Sequence, residues 1–216
     1  MKENMRINQY DLLFCGNEKN KREKLLCLMN DWRKEISDKP DIIFYDDKKY
    51  YKTKDYFGID GFFPKYLSQK HKVLFIGREA RNNSGNDSVL GTIDYFMKNN
   101  KKINSSTFYR RLLYLTYGII NKGKIAFEDL PYANEIAQNM IITKRFGFAL
   151  MNISKYSNDR ADGAKADVKL INQFLEDSNL EKRNFILEEI ELLQPDIIIT
   201  ANLWDGKIND YATVFL

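Results

Sequence analysis

Val73-Leu74-Phe75-Ile76-Gly77-Arg78-Glu79-Ala80-Arg81 is the stretch on which the fold turns. Four consecutive apolar residues ending at a glycine have the composition of a strand covered on both faces, since an exposed face would call for polar alternates. After Gly77, residues 78–86 read as a loop, because Asn82, Asn83, Ser84 and Gly85 are turn formers. The same signature recurs twice. Residues 148–153 form an apolar run that enters the polar residues 154–159, and residues 196–200 open into residues 201–204. Between the first two runs, helical periodicity covers residues 88–99 and 105–119, the second with Ser105 or Ser106 as N-cap. Between the last two runs it covers residues 166–177 and 181–193, and Pro195 stops the last helix.

Upstream, residues 17–37 are amphipathic, with Leu25, Met29, Trp32 and Ile36 on one face. Residues 41–58 hold a short strand or hairpin on composition. Apolar strands alternating with helices predict an α/β fold, a three-layer α/β/α sandwich around a short, mainly parallel sheet. Residues 1–60 are expected to form an N-terminal helical extension packed on it, with the whole of 1–216 as one domain. In such sheets ligands bind beyond the carboxyl ends of the strands, and the segments after residues 77, 153 and 200 all fall there.

Composition narrows the function. No apolar run approaches membrane-spanning length, and Met1, Lys2, Glu3 and Asn4 lack the core of an export signal. Cys15 and Cys27 read as reduced thiols, so the expected location is the cytoplasm, with no membrane contact. Two cysteines and the single His71 make a metal centre or iron–sulfur cluster built from this chain improbable. A dinucleotide fingerprint and a Walker-type loop are both absent, and no cofactor is expected. The net charge is only +4, but seven basic residues lie between Lys98 and Lys124, with no Asp or Glu between Asp94 and Glu128. Phe108, Tyr109, Tyr114 and Tyr117 are interleaved with them. That pattern suits a polyanion with stackable bases, and it equally suits a solvated helix whose aromatics belong to the core.

Residues 77–81 and 152–158 hold the candidate chemistry. Gly77 would let the backbone turn and approach a ligand closely. Glu79 can orient or deprotonate a water. Arg78 and Arg81 could hold phosphates or keep Glu79 ionised, the alternative being a turn with a surface ion pair. Asn152 offers an acceptor and two donors in a fixed plane, a pattern that reads a pyrimidine edge or satisfies local backbone. Ser154, Lys155, Ser157 and Asn158 are donors suited to phosphate oxygens. Glu188, Glu189 and Glu191 read as a solvated helix face, and Asp159 and Asp162 as turn residues.

Residues 73–81 (VLFIGREAR), 148–158 (FALMNISKYSN) and 192–200 (LLQPDIIIT) together resemble the uracil-DNA glycosylase superfamily, over roughly residues 62–205. The resemblance implies a base flipped from DNA into a pocket and hydrolysis of its N-glycosidic bond. It places Glu79 at the water-activating position and Asn152 at the base-reading one, with Gly77, Arg78, Ala80, Arg81, Ser154, Lys155, Ser157 and Asn158 around the substrate. Phe108 and Tyr109 are candidates for the aromatic that stacks on the base. The sequence departs from the family in two ways. No His-Pro-Ser-type motif follows residue 200, and His71 precedes the first strand. Ala80 stands where many members carry proline and Arg81 replaces a small or aromatic residue, so the pocket is expected to accept a base other than uracil, or none. The competing readings are a non-catalytic binder of nucleic acid or nucleotide on the same scaffold, and a different α/β enzyme or interaction module.

Overall fold

The computed structural model describes residues 12–37, 57–81, 87–158, 166–180, 182–201 and 203. The expected strand or hairpin at 41–58 lies almost wholly outside them, as do the turn formers at 82–86, Asp159 and Asp162. In chain order the elements are α1 (Asn17–Ser37), β1 (Gly61–Phe62), β2 (Val73–Arg81), α2 (Ser88–Lys98), α3 (Asn100–Ile103) and α4 (Thr107–Ile120). They continue with α5 (Ala133–Ile141), β3 (Ala149–Asn158), α6 (Val168–Asp177), α7 (Phe185–Leu193) and β4 (Ile197–Thr200).

The four strands form one sheet in the order β1-β3-β2-β4. β2 pairs in parallel with β3 and with β4, while β1 runs antiparallel to β3. Helices cover both faces, so the expected α/β/α architecture is present. On one face, Trp32 of α1 stacks on Phe185 of α7 with ring centroids 5.3 Å apart, and it also meets Phe174 of α6 and Phe57. On the other, Phe75 of β2 packs on Phe148, just ahead of β3; Phe148 meets Phe63, which in turn stacks on Phe96 of α2. The N-terminal helix is therefore embedded in one layer of the sandwich. Its apolar stripe of Leu25, Met29, Trp32 and Ile36 is buried, as the helical spacing predicts. Arg22 adds a buried ion pair with Asp87, whose other oxygen caps α2 through the Leu90 amide.

The strand ends differ from expectation. β2 does not turn at Gly77 but runs on to Arg81, and β3 runs on to Asn158. The polar residues there are strand residues because neighbouring strands satisfy their backbone groups. The pairs Gly77↔Asn152 and Glu79↔Ser154 extend the parallel ladder beyond the apolar run. β4 is shorter and half-covered: Ile198 is 48% exposed, so this strand is not buried on both faces. The N-cap of α4 is Ser106, whose hydroxyl accepts from the Tyr109 amide.

Candidate functional site

Glu79 and Asn152 come together because parallel neighbours in register point their side chains to the same side. Gly77 is opposite Asn152 and Glu79 is opposite Ser154, so these four residues share one face of β2 and β3. The role of Gly77 is clearance. A Cβ there would lie 2.8 Å from Asn152 Oδ1, so the amide occupies the space that a side chain would take. This corrects the expectation of a turn at Gly77: its absent side chain is used within an extended strand.

Asn152 is held from three directions. Its backbone N–H donates to Asp60 Oδ2 at 2.7 Å and its Nδ2 donates to Asp60 Oδ1 at 3.3 Å. Its carbonyl accepts from Lys155 Nζ at 2.6 Å. The amide plane is thereby fixed, with Oδ1 above Gly77. Asp60 is 1% exposed and was not singled out in the sequence, since a lone aspartate ahead of a two-residue strand carries no local signal.

Lys155 is fully buried, and its ammonium spends its three N–H donors on Asp60, Glu189 and the Asn152 carbonyl. It cannot reach a phosphate, contrary to the expectation for a loop residue. Its ring neighbour is Trp32, with Nζ 5.0 Å from the centroid. Burial pulls the Lys155 ammonium down, but the charges of Asp60 and Glu189 outweigh burial and hold it above its ordinary value. Glu189 also corrects the sequence reading of a solvated face: it is fully buried on the inward side of α7, in line with Phe185 and Leu193. That i, i+4, i+8 spacing was the available signal. Burial pushes the Glu189 carboxyl up, to about 8, against the pull of Lys155.

Glu79 is half-buried and also held. Asn158 Nδ2 donates to Oε1 and the Asp167 amide donates to Oε2, each at 3.2 Å. Asp167 caps α6 through the Leu170 amide, so Glu79 ties β2 to the end of β3 and to the start of α6. Asn158 reaches Glu79 because the ladder is irregular between Glu79 and Arg81: two steps along β2 face four along β3. Such bulges re-aim side chains at strand ends and are common beside functional sites. Ser154, fully buried next to Glu79, has a hydroxyl with no hydrogen-bond partner, which is uncommon for a buried polar group.

The remaining predicted residues divide. Ala80 and Ser157 are buried. Strand alternation puts Arg78 on the face of β2 opposite Glu79, so it does not flank that carboxylate. The side chain of Arg81 lies outside the described residues. In the basic segment, Arg110 and Arg111 on α4 are exposed, Arg110 donating to the Asn104 carbonyl, and Phe108 is 49% exposed. Tyr109 packs between Tyr95 and Phe96, and burial raises its phenol, so it belongs to the core and not to a stacking surface. Phe127 and Tyr132 are exposed near this segment and were not singled out from the sequence. Among the described residues, no three His, Cys, Asp or Glu side chains converge where a metal could sit. No helix among the described residues is long and apolar enough to cross a membrane. Comparison with protein-family models, with characterised proteins and with solved structures returns no match.

Proposed function

We propose that this protein is a DNA glycosylase-like hydrolase that acts on a modified or deaminated base at the face of β2 and β3 that carries Glu79 and Asn152. The observation that carries the reading is the placement of Glu79 and Asn152 on one face of neighbouring parallel strands, diagonal to each other, with Gly77 making room for the Asn152 amide. The donors from Asn158 and the Asp167 amide fix the Glu79 carboxylate, the group that orients the attacking water. In the reaction the C1′–N bond breaks with its electron pair going to the base. The water oxygen bonds to C1′, and its proton passes to Glu79. Asn152, locked by Asp60, pairs with the base edge and stabilises the negative charge that develops there. Arg110, Arg111 and Phe108 on α4 contact the DNA backbone and bases. The free, exposed Cys15 and Cys27 accord with work in a reducing cytoplasm.

Oligonucleotides carrying uracil and other modified bases test this, with abasic sites read out by alkaline cleavage. Base release is expected from the protein and lost in Glu79→Gln, with DNA binding retained. Release that is unchanged in Glu79→Gln removes Glu79 from the mechanism.

A second reading, a non-catalytic nucleic-acid binder, draws on the hydrogen bonds that already engage Glu79 and on the burial of Lys155. It predicts DNA binding that weakens steeply with salt as phosphate contacts are lost, and no base release from any substrate.

A further inference from the structure

A cleft opens at the opposite edge of the sheet, where the parallel strands begin. Lys72 immediately precedes β2, Gln194 ends α7 just ahead of β4, and the first turns of α1 supply Asn17, Asn20, Lys21 and Lys24. These residues, with Leu67, line about 190 Å³, room for roughly six waters at ~30 Å³ each. Three ammonium groups and three carboxamides face this volume, and no carboxylate lines it. Asp196 lies 3.9 Å from the Lys72 ammonium and accepts from the Lys72 backbone N–H. Lys21 lies 3.4 Å from Gln194 Oε1, which does not neutralise it. Partial burial, together with the charges of Lys24 and Lys72, lowers Lys21 from its ordinary value. Crowded cations of this kind repel one another until an anion is present. The amino-terminal end of the 21-residue α1 adds positive potential at the same place.

A second observation comes from the adjoining hollow of about 310 Å³, which shares Asn17 and Leu67 with the first and is lined also by Cys15, Glu18, Lys65 and Ser68. Glu18 is buried, with 9% exposure; backbone N–H groups of Lys65 and Leu67 serve its carboxylate, but its Oε1 has no hydrogen-bond partner. A buried carboxylate oxygen without a donor is costly unless something supplies one.

We propose that this double cleft binds a phosphate monoester of a small hydroxyl-bearing molecule. The phosphoryl group lies among Lys21, Lys24 and Lys72, and a hydroxyl donates to Glu18. Isothermal titration with inorganic phosphate and with glycerol 3-phosphate tests it. Both are expected to bind, the ester more tightly. The double variant Lys21→Gln, Lys72→Gln loses roughly tenfold or more in affinity for both, as expected when charge-assisted contacts are removed. Glu18→Leu keeps phosphate binding and cancels the advantage of the ester. Glu79→Gln leaves all of these affinities unchanged, so failure here is distinguishable from failure of the glycosylase reading. No saturable binding of the ester, equal affinity for phosphate and ester, or affinity unmoved in the lysine variant would each overturn the proposal. So would displacement of the ester by an oligonucleotide lacking a terminal phosphate, which would assign the cleft to a nucleic-acid backbone. A thermal midpoint no lower than that of the parent protein in each variant confirms that folding is intact.

Discussion

At Gly77 the absence of one carbon determines where an amide can sit. Asn152 Oδ1 lies 2.8 Å from the position that a Cβ would occupy, closer than real Cβ contacts come. Gly77→Ala must therefore displace Asn152, and the amide resists because Asp60 holds its Nδ2. The expected cost is about 1–2 kcal/mol of stability, the range for inserting a methyl group into a packed site. Chemical denaturation checks that figure. If the proposed function holds, base release falls further than stability does, because the reader of the base edge is the group displaced. Alanine at 77 with full stability and an unmoved Asn152 amide resonance would show that the strand relaxes around the methyl.

At the scale of elements, the buried triad of Asp60, Lys155 and Glu189 fastens β3 to the segment before β1 and to α7. The ammonium is the counter-charge of the buried Asp60 carboxylate, so removing it leaves that charge with only the neutral donors of Asn152. Lys155→Met is expected to cost about 3–5 kcal/mol at neutral pH, measured by denaturant titration. The triad also gives stability a particular pH dependence. Burial raises Glu189 from 4.5 to about 8 in the folded protein, so between those values the native state binds more protons than the unfolded state. Its contribution is fully present below about pH 4.5 and is lost as pH rises towards 8. Glu189→Gln should flatten the stability profile over that window while keeping an acceptor for Lys155. A profile equally steep in Glu189→Gln would assign the slope to other groups.

At the scale of the whole molecule, the helical layer on one face of the sheet is joined by Trp32. Its ring meets Phe185, Phe174 and Phe57, its Nε1 donates to Ser178 Oγ at 3.1 Å, and the Lys155 ammonium lies over its face. Trp32→Ala is expected to lower stability by about 3–5 kcal/mol. Because α1, α6 and α7 share that contact, the denaturant midpoint should fall with the slope of the transition unchanged. A reduced slope would instead mean that α1 separates from the sandwich before the sheet unfolds.

By itself the sequence determined the alternation of strands and helices, the apolar stripe of α1 and a serine cap for α4 at 105 or 106, of which the structure uses Ser106. Each rests on residues within a few positions of one another, whose periodicity and capping chemistry are local. It also brought Glu79 and Asn152 into view, because polar residues following apolar runs mark strand ends. Tertiary structure alone decided that these polar residues lie inside the strands, since a segment such as 154–158 stays extended only when β2 supplies its hydrogen bonds. It likewise decided that Lys155 and Glu189 are buried and not solvated. The ammonium meets Asp60 95 residues away and Glu189 34 residues away, and no local pattern can announce a charge whose partners lie that far along the chain.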